Sequence, residues 1–125
     1  MTSLRIWRFA TVGALLFFLL VVVWADSERL PPILRALYDY PGGDKVGHFG
    51  LYGWLAFLGA KAWRRPLRLG PLPLPAGALP AVLLAAFEEL SQLFFPARSA
   101  DWLDLGAGFS GIAVAVLLAS AGPPY

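Results

Sequence analysis

The sequence predicts an all-α integral membrane protein, a compact bundle of four transmembrane helices with both termini in the cytoplasm. The first observation is composition: 58% of the 125 residues are hydrophobic and 14% are charged, whereas soluble domains carry about 25% charged residues. The second is a set of four long runs that are almost free of charge, each near the ~20 residues that a spanning helix needs. The third is the placement of basic residues, which gather on one side of these runs.

Composition also excludes several classes of protein. Ten basic and eight acidic residues leave a net charge of +2, too little to neutralise a run of phosphates, so we expect no nucleic-acid partner. Without cysteine the chain has no disulfide, no thiolate metal ligand and no cysteine nucleophile. Its single histidine argues against a multi-histidine metal centre, so we expect neither a metal nor an organic cofactor.

The first predicted span covers residues 4–24. Arg5 and Arg8 near its start can reach the membrane interface, and Trp24 lies at the far boundary, where aromatic rings settle. The same segment also fits a cleaved signal peptide, since the two arginines would form its basic region and residues 23–25 its cleavage site. We expect the helix to be retained, because the rest of the chain is equally apolar and offers it a packing surface.

The second predicted span covers residues 44–63 and is closed by Lys61, Arg64 and Arg65. At 1.5 Å per residue, this length reaches across about 30 Å of hydrocarbon. Before it, residues 31–38 begin with two prolines and have apolar spacing. This pattern fits a short interfacial helix and an irregular loop equally well.

The third and fourth predicted spans cover residues 76–94 and 102–121. The third begins after three alternating prolines, which keep the preceding connector extended, and it continues through Glu88 and Glu89. The fourth is ended by a Gly-Pro-Pro sequence, which cannot continue a helix. Small residues recur at every fourth position of this last helix and predict a close helix contact. They are Ala107, Gly111, Ala115 and Ala119.

Charged residues set the orientation of the bundle. Basic residues without any acid occupy the N-terminal segment and the connection between the second and third spans, which the positive-inside rule places in the cytoplasm. They are Arg5, Arg8, Lys61, Arg64, Arg65 and Arg68. Every acid of the chain falls on the opposite side, so the polar residues gather at the outer ends of spans two, three and four. These acids are Asp26, Glu28, Asp39, Asp44, Glu88, Glu89, Asp101 and Asp104.

One polar stripe lies at the start of the second span. Asp44, His48 and Tyr52 follow one another at intervals of four residues, which places them on one helix face. Asp44 could fix the tautomer of His48, which would then act as a general base. The competing interpretation, which we favour, is a neutral His48 hydrogen-bonded between helices, because no serine or cysteine nucleophile lies beside it in sequence.

A second polar group ends the third span. Glu88, Glu89 and Gln92 lie within about one helical turn. At least one carboxylate must therefore face the bundle or the headgroup water, because exposure to hydrocarbon costs several kcal/mol. Glu89 is either an acid–base residue or the counter-ion of Arg98 or Lys45, and we favour the counter-ion. We expect Glu88 to be its solvated neighbour.

The entry to the fourth span completes a polar ring with Arg98, Asp101 and Asp104. Asp104 could accept a proton or a cation, but it also fits a helix-start residue near the positive end of the helix dipole. The candidate catalytic residues are therefore His48, Glu89 and Asp104. The predicted ligand site as a whole consists of Asp44, Lys45, His48, Tyr52, Glu89, Gln92, Arg98, Asp101 and Asp104.

Several short motifs occur in a fixed order along spans two to four. They are Asp44-Lys45, His48-Phe49, Tyr52, Glu89 followed by Gln92, Pro96-Ala97-Arg98, Asp104 and Gly111. In this order they resemble the VanZ-like family of small membrane proteins, over residues 44–119. One position departs from the family pattern. Gly108 stands where an asparagine or aspartate is common, which removes a polar partner from the site.

The resemblance implies a multi-pass protein of a bacterial inner (plasma) membrane. The family is named for low-level resistance to the glycopeptide teicoplanin and brings no established reaction. The expected partners are membrane lipids and a lipid-linked cell-wall precursor, and the oligomeric state is left open.

Three hypotheses for function follow. In the first, the outer polar site binds a lipid-linked or cell-wall ligand, with Lys45 and Arg98 on phosphate and the carboxylates on amines or hydroxyls. In the second, the chain is a membrane enzyme that uses His48 or Glu89 as acid or base on a lipid headgroup or a lipid-linked substrate. In the third, the stripe of small residues on the last helix docks an assembly partner.

Overall fold

The computed structural model describes residues 3–26, 31–69, 72–92, 94 and 102–121. Within these ranges the chain is mostly helical, with one short two-stranded sheet and a 3-10 turn, Ala76–Ala78, before the fourth helix. The elements are α1 (Ser3–Asp26), α2 (Pro32–Asp39), α3 (Gly43–Ala62), β1 (Pro66–Leu69), β2 (Leu72–Pro75), α4 (Leu79–Gln92) and α5 (Trp102–Ala121).

Two of these helices are long and apolar enough to cross a membrane, judged by length and composition. They are the segments Ser3–Trp24 of α1 and Trp102–Ser120 of α5. The third predicted span, residues 76–94, is shortened in the structure, since α4 has 14 residues and rises only about 21 Å. Helix α3 has 20 residues and is long enough, but by length and composition together two helices among the described residues qualify, so the four-span topology stays a prediction.

The segment before α3 is a helix rather than an irregular loop. Proline in the first turn of α2 favours the helix, because its fixed φ suits that position and its missing N–H would be unpaired there anyway. Ile33 and Leu37 lie one turn apart and are exposed together. Of the two structures that the sequence allowed here, the structure therefore shows the short helix. Its contact with a membrane interface stays a prediction.

The connector before α4 forms an antiparallel hairpin that the sequence did not predict. Pro66 pairs with Pro75, and Leu69 pairs with Leu72. Prolines are tolerated here because both strands of a two-stranded ribbon are edge strands, so many of their N–H positions need no partner. The proline pattern correctly indicates an extended chain, but nothing local in it reveals that the two extended segments pair.

Helix α3 lies at the centre of the bundle and contacts α1, α4 and α5, most extensively α5. Its Tyr52 ring lies 4.6 Å from the ring of Phe18 on α1, centroid to centroid. Near the other end of α1, Trp7 meets Phe57 edge-on with ring centroids 6.0 Å apart. The first helix is therefore part of the packed core, and its retention stays a prediction.

Glycines allow α3 to approach its neighbours backbone to backbone. A Cβ at Gly111 of α5 would overlap the carbonyl oxygen of Phe49, and a Cβ at Gly53 would lie 3.0 Å from the Gly111 carbonyl. Gly59 of α3 and Gly77 of the 3-10 turn exclude a Cβ on each other in the same way. The predicted small-residue contact is thus confirmed, but it lies inside the chain. Within the stripe, Gly111 is therefore in contact with α3 of the same chain, and docking of an assembly partner stays a prediction.

Arg8, one of the basic residues predicted to share one side, lies at the end of the bundle where α3 ends. The Arg8 Nε of α1 donates a hydrogen bond to the carbonyl of Ala62 at the end of α3, with N and O 3.4 Å apart. The Arg8 guanidinium also lies 5.3 Å from the centroid of the Trp63 ring. The start of α1 and the end of α3 are therefore adjacent, and the opposite end holds the start of α3, the start of α5 and the end of α4.

Candidate functional site

Polar and ionisable side chains from three helices converge at this opposite end. Helix α3 contributes three of them along one face, α4 contributes two consecutive glutamates, and the first turn of α5 contributes an aspartate. We call this group the charged cluster. It consists of Lys45, His48, Tyr52, Glu88, Glu89 and Asp104.

Most of the charged cluster is buried. The exposed fractions are 8% for His48, 7% for Glu88, 3% for Glu89 and 2% for Asp104. The side chain of Lys45 is 38% exposed and marks the place where the cluster reaches the surface. Because burying an uncompensated charge is costly, such groups persist only where pairing or a bound ligand compensates them.

One compensating contact joins α3 to α5. The Lys45 Nζ donates a hydrogen bond to Asp104 Oδ1 over 3.1 Å. Asp104 also lies in the first turn of α5, where a negative charge is favoured by the helix dipole. The helix-start position predicted for Asp104 is thus observed, and the residue has an ion pair in addition.

A second contact joins α3 to α4, and it corrects one expectation. The Tyr52 hydroxyl donates a hydrogen bond to the Glu88 carboxylate, so Glu88 is buried and the prediction of a solvated neighbour is wrong. The reason is that apolar side chains occupy the outward face of α4, at Leu83, Phe87 and Leu90, each more than half exposed. This apolar stripe was visible in the sequence. It would have placed both glutamates inward, because a membrane bundle turns its apolar face out.

His48 lies between the two glutamates. Its Nε2 is 3.6 Å from Glu88 Oε1 and 3.8 Å from Glu89 Oε1. Its ring lies 5.8 Å from that of Tyr52, centroid to centroid, which confirms that the two residues share one face of α3. An imidazole nitrogen that faces two carboxylate oxygens can exchange a proton with them or share a cation with them.

The structure brings together the predicted residues whose side chains it describes. Glu89, proposed from sequence as a counter-ion of Lys45 or Arg98, lies beside His48, and Lys45 contacts Asp104. The remaining members of the predicted ligand site lie outside the described residues or side chains. These are the side chains of Asp44 and Gln92, and the residues Arg98 and Asp101.

Gly108 has a steric role beside the charged cluster. It is buried on α5, and a Cβ built on it would lie 3.2 Å from Cδ2 of the Tyr52 ring. The absence of a side chain therefore makes room for the ring whose hydroxyl reaches Glu88.

A cavity of about 210 Å³ lies at the opposite, basic end of the bundle, and no residue of the charged cluster lines it. Its walls come from the last turns of α3 and α5 and from the hairpin. The lining residues are Ala60, Arg64, Pro75, Ala119 and Ser120.

Comparison with known proteins supports one family assignment. A family model described as VanZ/LLP1 matches residues 9–122. The match includes every member of the charged cluster, and it extends to α1, which the motifs alone did not cover. No curated protein and no solved structure matches the chain.

Proposed function

We propose that this chain, which belongs to the VanZ/LLP1 family, is a multi-pass protein of a bacterial plasma membrane that binds the headgroup of a lipid or of a lipid-linked envelope precursor. The observation that carries the proposal is the charged cluster, where four ionisable side chains are less than a tenth exposed. Ionisable residues within a membrane protein are costly and mark functional sites by default.

The placement in a membrane rests on the apolar surface. Phe9 and Leu16 of α1, and Leu117 and Leu118 of α5, are each more than half exposed. A soluble monomer rarely shows so much contiguous apolar surface, whereas lipid chains would cover it. We propose that α3 and α4 also cross, with the bilayer thinned locally around the short α4.

The orientation rests on the basic end. Arg8 contacts the end of α3, so the basic N-terminal segment and the basic residues after α3 lie on one side. By the positive-inside rule we assign that side to the cytoplasm, with both termini there. The charged cluster then opens to the outer face of the membrane.

The ligand class follows from the donors and acceptors. Lys45, partly exposed at the mouth, offers an ammonium to a phosphate oxygen. Behind it, the carboxylates of Glu88, Glu89 and Asp104 accept hydrogen bonds from hydroxyl or amine groups. A phosphate that carries an amine or a sugar satisfies both, as phospholipid headgroups and lipid-linked cell-wall precursors do. By occupying or altering such a ligand, the protein would lower susceptibility to teicoplanin.

Binding to purified protein tests the proposal. The full chain in detergent is offered a panel of phospholipids and polyprenyl-phosphate-linked precursors, and bound lipid is identified by native mass spectrometry. We expect one headgroup class to be retained selectively, and Lys45→Gln and Glu89→Gln to weaken it about tenfold, the loss of one charge-assisted hydrogen bond. Arg68→Gln, at an exposed position of the hairpin, should bind like the unsubstituted chain. Equal binding by all variants, or no headgroup preference, would contradict the proposal.

A second candidate is favoured by the position of His48. With Nε2 facing two carboxylate oxygens, His48 can act as a general base on a hydroxyl or water beside a bound headgroup. Lipid with a radiolabelled headgroup would then release a water-soluble product on incubation with the protein. We expect His48→Ala to abolish release while headgroup binding persists. Absence of product with a bound lipid would exclude the enzyme and leave the binding protein.

A further inference from the structure

We propose that the charged cluster binds a divalent metal ion through His48 Nε2 and one carboxylate oxygen each from Glu89 and Asp104. The inference deepens the proposed function and rests on it, since it names the cation through which the same site would hold a ligand's phosphate. Each of the three residues comes from a different helix, so the ion would tie α3, α4 and α5 together.

The geometry is close to that of a coordination site. One ligand atom from each of the three residues can be chosen so that all lie within 4.8 Å of one another. An ion about 2.1 Å from each ligand places adjacent ligand atoms about 3.0 Å apart and opposite ones about 4.2 Å apart. The 3.8 Å between His48 Nε2 and Glu89 Oε1 is too long for a direct hydrogen bond. It needs to shorten by less than about 1 Å to bridge an ion.

The donor set indicates the kind of metal. One imidazole nitrogen with carboxylate oxygens suits Zn²⁺ or Mn²⁺ better than Mg²⁺ or Ca²⁺, which take oxygen ligands. The sequence alone led us to expect no metal, because it holds a single histidine. The fold changes that expectation, because two other helices bring carboxylates close to the same histidine.

Charge and burial support the same conclusion. Within the part of the chain that the structure describes, the charged cluster combines three carboxylates with the ammonium of Lys45. Glu88, Glu89 and Asp104 are each less than a tenth exposed, and a divalent cation bound between carboxylates would lower the repulsion among them in this buried place.

Neighbouring contacts hold the proposed ligands in place. Lys45 donates a hydrogen bond to the proposed ligand Asp104, and the Tyr52 ring lies beside the ring of the proposed ligand His48, with centroids 5.8 Å apart. Such outer contacts orient metal ligands and tune their affinity. The side chain of Lys45 is 38% exposed, so the cluster reaches the surface next to the proposed ligand Asp104.

Metal binding is tested with the metal alone. The full-length protein in detergent is stripped with EDTA and dialysed against Zn²⁺ or Mn²⁺, and bound metal is measured by inductively coupled plasma mass spectrometry. We expect close to one equivalent of one of these ions per chain. His48→Gln and Asp104→Asn should each weaken binding at least about tenfold, whereas Arg68→Gln should not. No bound metal in the unsubstituted chain, or unchanged binding in both cluster variants, would overturn the inference.

Two further measurements keep the result interpretable. Circular dichroism shows whether each variant is folded. If one variant unfolds, the metal binding of the other variant and the stoichiometry of the unsubstituted chain still test the metal site. Headgroup binding is repeated in EDTA. Selective headgroup binding with no metal at all overturns the metal site and leaves the proposed function standing. Bound metal without any headgroup preference supports the metal site and removes the proposed function.

Discussion

The hydroxyl of Tyr52 donates a hydrogen bond to the carboxylate of Glu88, and this contact joins α3 to α4 in the interior of the bundle. A hydrogen bond to a charged group contributes about 1.5–3 kcal/mol, and its loss leaves a buried carboxylate without that donor. Tyr52→Phe should therefore lower the free energy of unfolding by about that amount. Thermal unfolding in detergent measures it.

Tyr40→Phe is the matched control for this change. Tyr40 is 71% exposed at the end of α2, so loss of its hydroxyl should alter stability by less than about 0.5 kcal/mol. Equal effects of the two substitutions would show that the contact between Tyr52 and Glu88 contributes little.

The close approach of α5 to α3 predicts a second result. In Gly111→Ala the new methyl group overlaps the Phe49 carbonyl, so the helices must separate, at a cost of about 1–3 kcal/mol or more. Gly106→Ala is the control on the same helix, because its Cβ meets open space. That change should be neutral or stabilising by up to about 1 kcal/mol. The unfolding midpoints of the two variants, compared with that of the unsubstituted chain, test this prediction. An unchanged midpoint in Gly111→Ala would contradict the close packing of α5 on α3.

The contact between Gly59 and Gly77 predicts a third effect of substitution. Gly59→Ala should weaken the packing of the 3-10 turn against α3, because the added Cβ would overlap the Gly77 carbonyl. Gly50→Ala, on the same helix but in open space, should not. Limited proteolysis within the hairpin that precedes the turn reports the difference as faster cleavage in Gly59→Ala alone.

The ion pair between Lys45 and Asp104 predicts a coupling energy. Lys45→Gln and Asp104→Asn should each destabilise the protein, and the double variant should lose less than the sum of the two. A coupling of about 0.5–3 kcal/mol is expected for residues in direct contact, toward the lower end because Lys45 is 38% exposed. Strictly additive effects in a double-mutant cycle would show that the pair contributes nothing.

The proposed function predicts a resistance phenotype that depends on the charged cluster. In a teicoplanin-susceptible bacterial host, expression of the unsubstituted chain should raise the minimal inhibitory concentration, and Glu89→Gln or His48→Ala should abolish the increase. Immunoblots of the membrane fraction control for protein level. If both variants protect as well as the unsubstituted chain, the charged cluster is not the site of action.

Sequence reasoning located the long helices because charge-free runs have sharp ends. The predicted fourth span, residues 102–121, coincides with α5, and the second, residues 44–63, is shifted by one residue from α3. The spacing of His48 and Tyr52 also placed them correctly on one face. These features are local, since each depends on the helical period and on residues within the same helix.

What sequence reasoning missed depends on contacts between distant segments. The hairpin needs the pairing of Pro66 with Pro75, which no local propensity encodes. The burial of Glu88 depends on Tyr52 of another helix. The sequence indicated His48, Glu89 and Asp104 as candidate catalytic residues but not as possible ligands of one metal ion, because the packing of three helices sets the distances between them.

In the proposed topology the charged cluster opens on the outer side of the membrane, away from the basic end. The chain has no cysteine, so single cysteines can be introduced and labelled with a membrane-impermeant maleimide on spheroplasts. Tyr40, before α3, and Arg68, in the hairpin, are both exposed and suit this test. We predict labelling of the Tyr40→Cys protein in intact spheroplasts, and of the Arg68→Cys protein only after permeabilisation. The reverse pattern would place the charged cluster in the cytoplasm and contradict the proposed topology.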